Sequence, residues 1–184
     1  MRKLKLQMQI SVDSIVSVEG AKTNWDDELR AFSIANMEGV DRIVLGRKTA
    51  KDLIPYWASV ATRPDDPDYG VGKSITDIPK IVFSNSLAKS NWANAELAKG
   101  DITEEINKLK KQAGKDMLVY GGSGFVSSLI KEGLIDQYYL LVNPYACGKG
   151  ETIFQSLQSD LALTLVESRQ FSSGTVLLVY EPKR

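Results

Sequence analysis

The sequence contains no histidine. That absence removes the commonest acid–base side chain, and with it serine–histidine triads and histidine-ligated metals. Cys147 is the only cysteine, so neither an internal disulfide nor a cysteine-rich metal cage can form, and a reducing cytoplasm is the expected compartment. Charge of one sign is not in excess either, since Lys plus Arg and Asp plus Glu both number 23. This balance argues against a nucleic-acid or membrane-surface partner held by bulk electrostatics, although a local basic cluster can still grip a small anion. No apolar run approaches the ~18 residues of a membrane span. The opening Met1-Arg2-Lys3 leads into alternating Leu4, Leu6, Met8 and Ile10, a strand pattern and not the apolar stretch of a signal peptide.

What is present is an ordinary globular composition, 43% hydrophobic and 25% charged over 184 residues. A chain of that length is expected to build one domain, spanning 1–184, that buries about 70% of its unfolded surface. Periodicity predicts a strand over 4–12, then a helix with Asn24 as N-cap and Trp25, Asp26, Asp27 and Glu28 in its first turn, ending near Gly39. A buried strand follows over 42–45. A second helix is expected from Thr49 to just before Pro55, and the Pro-, Asp- and Gly-rich stretch 56–76 reads as a long loop. Further strands are expected over 79–83, 117–120 and 137–143. Helices are expected from Asp101, with Glu104 completing a capping box, and from Phe125 to Gly133. Residues 161–171 and 175–181 form a closing hairpin around Ser172-Ser173-Gly174. Strands alternating with helices imply an α/β fold, three layers α/β/α, with a mainly parallel central sheet and a C-terminal antiparallel hairpin.

Three polar clusters fall where predicted strands end, which is where ligands collect in open α/β sheets. The Gly121-Gly122-Ser123-Gly124 turn before Phe125 lets a ligand backbone approach a helix N-terminus whose free amides suit a phosphate or pyrophosphate. It is not the G-x-G-x-x-G dinucleotide fingerprint, and a tight strand-to-helix connection would use glycines as well. Gly46-Arg47-Lys48-Thr49 repeats the arrangement, with two cations and a hydroxyl at a dipole-positive helix start. Cations are otherwise disfavoured there, and an anionic ligand would relieve them. Ser84-Asn85 is the third strand-end pair, and turn chemistry alone also accounts for it.

Taken in order, Gly46-Arg47-Lys48-Thr49, the Pro79 to Ser84 strand, and the Tyr120 to Gly124 turn followed by Gly133-Leu134-Ile135-Asp136 resemble the dihydrofolate reductase superfamily. The resemblance is closer to the reductase domain of the bacterial bifunctional riboflavin-biosynthesis deaminase-reductase, and it spans nearly the whole chain. It implies NADPH as cofactor. Arg47, Lys48 and Ser84 would lie near the adenosine 2′-phosphate, with Asn85 beside them, and Thr49 with the Gly121, Gly122, Ser123, Gly124 and Phe125 turn would hold the pyrophosphate. The first strand would border the nicotinamide. Related reductases often pair, so a homodimer is implied, with the terminal hairpin offering an edge.

The sequence departs from the riboflavin-reductase pattern after the first strand. Ser11-Val12-Asp13-Ser14-Ile15 keeps the aspartate but replaces a glycine with Ser14. Asp26, Asp27 and Glu28 sit where capping accounts for them, so no carboxylate is assigned to a pterin ring. The expected reaction is hydride transfer to a C=N or C=O group of a small planar or ribosylated heterocycle, of pterin or 5-amino-6-ribosylaminouracil type. Tyr56 and Trp57 would shape the substrate pocket, and Asp13, a tyrosine or an ordered water would supply the proton. Asp13 serves equally as an Asx turn closing the strand. Two other readings stay open: a non-catalytic NADPH- or nucleotide-binding regulatory protein, and a phosphoryl-handling α/β enzyme. Against the latter, no Walker lysine follows the glycine turn.

Overall fold

The computed structural model describes residues 1–16 and 25–183. Its strands, in chain order, are β1 (Leu4–Ser11), β2 (Val40–Gly46), β3 (Lys80–Phe83), β4 (Ala95–Ala98), β5 (Asp116–Tyr120), β6 (Gln137–Asn143), β7 (Leu163–Gln170) and β8 (Val176–Pro182). The helices are α1 (Asp27–Glu38), α2 (Arg47–Val60), α3 (Tyr69–Asp77), α4 (Ile102–Lys111) and α5 (Ser123–Lys131). The strands form one sheet in the order β4-β3-β2-β5-β1-β6-β8-β7. Every pairing from β4 to β6 is parallel, and β8 and β7 add the antiparallel pair expected of the C-terminal hairpin.

Strand alternation sorts the core into layers. Ile43 and Leu45 of β2, Leu118 of β5 and Val82 of β3 face α1, α2 and α3, where they meet Met37, Ala50, Ile54, Val71 and Ile75. The intervening Val44, Met117, Val119 and Ile81, with Leu4 and Leu6 of β1, face α4 and α5 and pack on Ile106, Leu109, Val126, Leu129 and Ile130. Leu4 and Leu6 are fully buried, and truncating either to alanine is expected to cost about 2–5 kcal/mol. A third cluster of Leu29, Leu141, Phe171, Leu177 and Val179 fills the space between α1 and the antiparallel end of the sheet.

The N-cap expected at Asn24 lies outside the described residues. Asp26 caps α1 instead, its carboxylate accepting from the Leu29 amide at 2.7 Å. Asp26 and Glu28 also accept from the Ser173 and Ser172 amides, fastening the β7–β8 turn to the start of α1.

The larger correction concerns 56–76, expected as a loop. α2 runs through Pro55 to Val60, and α3 occupies 69–77. Proline removes one helical hydrogen bond and crowds the preceding turn. Burial of Ile54 before it and Val60 after it carries the helix past it. Gly70 and Gly72, which suggested a turn, are packing residues: an added Cβ would come 2.9 Å from Ile34 of α1 and 2.8 Å from Val60 of α2. Their small size lets three helices meet closely. Strand β4 is also unforeseen, because Ala-Glu-Leu-Ala carries no β-branched or aromatic residue. Among the described residues no helix is long and apolar enough to cross a membrane.

Candidate active site

The pairing of β2 with β5, with Val44 opposite Val119, sets the β2–α2 and β5–α5 junctions side by side at the carboxyl ends of the strands. The contact between them is close. Gly122 has φ +75, and a Cβ on it would come 2.5 Å from Thr49 Oγ1, so only glycine fits without displacing the α2 start. Between the junctions lies a cavity of about 460 Å³ lined by Gly46, Arg47, Lys48, Thr49, Gly122, Ser123, Gly124 and Phe125, together with Phe83, Glu151 and Gln155. The Phe83 and Phe125 rings pack at 5.4 Å and form one wall.

The two helix starts differ from those of α1 and α4. Asp26 and Asp101 cap those helices with carboxylates, whereas α2 and α5 begin at Gly46 and Gly122 with no side-chain cap and no acid in the first turn. Two sets of unsatisfied amide donors, each at a positive dipole end, therefore open on one cavity beside exposed Arg47 and Lys48. That donor set suits an anion with more than one phosphate. Glu151 is the exception in this positive field. Its carboxylate accepts a hydrogen bond from the Ser123 hydroxyl at the α5 start. Sequence reading missed it because it lies 28 positions from the turn it touches, on a segment without a motif.

Ser84 and Asn85 are not in this cavity's lining, where Phe83 stands for β3. The Ser84 hydroxyl accepts from the Leu87 amide at 3.2 Å, and Asn85 Oδ1 accepts from the Gly100 amide at 3.2 Å. Both thus serve as acceptors in turn chemistry.

Next to the cradle, across the Gly121–Gly122 step, is a second cavity of about 240 Å³. Trp25, Trp57, Leu53 and Tyr120 give it aromatic and apolar walls, and Gln7, Gln9 and Ser33 supply its polar edge. No charged side chain lines it among the described residues. Gln7 is fixed by accepting from Asn36 at 2.7 Å and donating to Ser33 at 3.2 Å, and Gln9 Oε1 accepts from Asn143 at 3.1 Å. Trp25 is held by its indole N–H donating to Asp68 at 2.9 Å, and Asp68 also takes Arg30 at 2.5 Å. Burial pushes the Tyr120 phenol well above its ordinary pKa, so it remains a hydrogen-bond donor at any physiological pH. Gln7 and Gln9 read in the sequence only as the polar partners of an alternating strand; it is the fold, by setting β1 between β5 and β6, that covers their face and turns them to a cavity.

Of the two expected pocket aromatics, Trp57 lines this cavity from α2. Tyr56 points away, 54% exposed, with its ring edge-on to Trp57 at 5.0 Å. Asp13 lines neither cavity. Its carboxylate accepts from the Ser11 hydroxyl at 2.5 Å and from the Cys147 and Gly148 amides at 3.1 and 2.7 Å. These bonds, the Ser11 hydroxyl first, pull its pKa down to about 2. It is ionised at neutral pH and ties the 145–148 loop to the end of β1, which is not the setting of a proton donor.

The fold is that of a dihydrofolate-reductase-like α/β domain. The chain belongs to the RibD C-terminal domain family, which it matches over residues 2–177. It is 29% identical to the uncharacterized protein YyaP of Bacillus subtilis (strain 168), covering 97% of this chain and 94% of that one. Its structure is similar to that of a diaminohydroxyphosphoribosylaminopyrimidine deaminase/5-amino-6-(5-phosphoribosylamino)uracil reductase from Thermotoga maritima (TM-score 0.70, 18% identity), covering 99% of this chain and 57% of that one. It is similar also to dihydrofolate reductase from Enterococcus faecalis complexed with NADP(H) (TM-score 0.64, 17% identity), covering 99% and 97% of the two chains.

Proposed function

We propose that the protein is an NADPH-dependent reductase acting on a small planar heterocycle with a reducible C=N or C=O group. The observation that carries this reading is the adjacency of two unlike cavities at one turn: a cationic, amide-rich cradle on the Gly122 side and a neutral aromatic cavity on the Gly121 side. A reduced dinucleotide has the matching halves, a polyanionic end and a flat uncharged end.

The residues present fit that cofactor. The uncapped amides of α2 and α5, with the Thr49 hydroxyl, would hold the pyrophosphate, and Arg47 and Lys48 would pair with a 2′-phosphate. When bound, the nicotinamide supplies hydride. The chain's own contribution is orientation: Trp25 and Trp57 would confine a planar ring, and Gln7 and Gln9 would meet its amide-like edge. Tyr120 would donate a hydrogen bond that polarises the acceptor group. Because its phenol is a weak acid there, the proton itself is drawn from water reaching the cavity.

Calorimetric titration with NADPH and NADH, on the wild type and on an Arg47→Ala/Lys48→Ala double variant, tests the cofactor half. Two charge-assisted hydrogen bonds at about 1.5–3 kcal/mol each predict roughly two to four orders of magnitude in favour of NADPH, lost in the double variant. Equal wild-type affinities remove the 2′-phosphate clamp, and no binding of either nucleotide removes the reading. NADPH oxidation across a panel of pterins, aminouracils and cyclic imines tests the substrate half.

A further inference from the structure

Among the described residues two lysines are almost fully buried, and they are treated differently. Lys110, 4% exposed, donates to the Leu134 carbonyl at 2.7 Å and pairs with Asp136 at 2.6 Å. Lys80, 2% exposed at the start of β3, donates to the Thr76 carbonyl at 2.6 Å and has no carboxylate in ion-pair range among the described residues. A buried ammonium normally has a counter-charge, because desolvation without one is costly.

Lys80 lines a cavity of about 250 Å³ beneath α2, α3 and the β3–β4 connection. Phe83, at the other end of the same strand, lines the cradle, so Lys80 and the cradle lie at opposite ends of β3, while Ile75 lines both this cavity and the aromatic one. Its walls are mainly apolar: Ile54, Pro55 and Ala58 of α2, Ile75 of α3 and Trp92. Thr76, on the same lining, has a buried hydroxyl with no hydrogen-bond partner. A threonine in a helix ordinarily bonds back to a carbonyl one turn earlier. One cavity thus collects a cation lacking a counter-ion, an unused hydroxyl donor and a flat apolar wall.

We propose that this cavity is a second ligand site, for a small monocarboxylate with an aromatic or branched apolar body. One ammonium supplies one positive charge, which matches a carboxylate and not a phosphate dianion. Lys80 would supply the ion pair, while Trp92, Ile54 and Ala58 take the apolar body. Burial lowers the Lys80 amine to about 8, with the field of Asp77 opposing the shift, so the group is still mostly ammonium at neutral pH. The site is independent of the reductase reading.

Heteronuclear NMR titration of the full chain with benzoate and isovalerate, and with benzamide as the neutral match, provides the test. At least one carboxylate should give saturable shifts at the Trp92 indole and at residues 58 and 76, leaving Gln7, Gln9 and residues 121–125 unmoved. Lys80→Met should weaken that carboxylate by about tenfold or more while changing benzamide little. Equal carboxylate affinity in wild type and Lys80→Met overturns the proposal, as does the absence of saturable shifts at these residues with both acids. Ala58→Leu keeps the lysine and fills the cavity, so it must abolish binding. Should Lys80→Met fail to fold, retained binding in Ala58→Leu overturns the proposal by itself.

Discussion

The two cavities that meet at the Gly121–Gly122 step are built on opposite principles. The cradle relies on backbone: glycines at two junctions, uncapped amides, and two cations adjacent in sequence. The neighbouring cavity relies on side chains brought together from β1, α1, α2, α3 and β5, with Gln7, Gln9 and Trp25 held by hydrogen bonds. A backbone site tolerates little at its glycines and much elsewhere. A side-chain site loses function piecemeal, residue by residue.

Gly122→Val offers the sharpest break of that contrast. The new Cβ would fall 2.5 Å from Thr49 Oγ1 at φ +75, forcing the two junctions apart. Calorimetry should show NADPH affinity reduced by about two orders of magnitude or more, since both amide sets lose their common geometry. Thermal unfolding of the variant separates this effect from global loss of structure. Trp57→Ala comes next in size. It should lower kcat/KM by roughly tenfold to a hundredfold through lost substrate orientation and leave NADPH binding near wild type. If Trp57→Ala weakened both equally, the division into a backbone half and a side-chain half would fail.

The same contrast explains what the sequence could and could not disclose. Gly46 to Thr49 and Gly121 to Phe125 are contiguous runs, and strand periodicity places both at β–α junctions, so the cradle is legible in the sequence. Its counter-example, Glu151, reaches Ser123 only through the fold. The aromatic cavity was half visible: Trp57 was expected near a substrate, but on a loop. The reason is that proline and glycine carry two meanings. Pro55 and Gly70 signal a turn locally, yet Pro55 lies on a helix supported by tertiary packing, and Gly70 admits Ile34 of α1. Ser84 and Asn85 carry a double meaning too. A polar pair at a strand end suits a binding site, and in the fold its acceptor atoms take the Leu87 and Gly100 amides while the pair stays outside the cavity lining.

A smaller effect is expected from Glu151→Gln. The carboxylate at the α5 start occupies part of the field that a pyrophosphate would use, and its bond to Ser123 must give way when an anion binds there. The residue is exposed, so solvent screens it and the gain is modest. NADPH should bind about three- to tenfold tighter to the variant, with the difference shrinking as salt is raised. Unchanged affinity would mean that the side chain swings clear at no cost and that the cradle is purely cationic in use.

The smallest effect belongs to Asp13, and it tests where the machinery ends. Its folded-state pKa of about 2 lies below the ordinary 3.8, so whatever stabilisation it gives is complete above the unfolded value and disappears as pH falls through about 2. Nothing in that titration reaches the range in which a reductase works. Asp13→Asn should therefore leave the pH–rate profile unchanged above pH ~5, with a slight loss of thermal stability as the 145–148 loop gives up one ionic acceptor. A profile that lost an acidic limb in Asp13→Asn, while the melting temperature stayed put, would instead return the aspartate to the proton path. It would also extend the side-chain half of the site beyond the aromatic cavity to the end of β1.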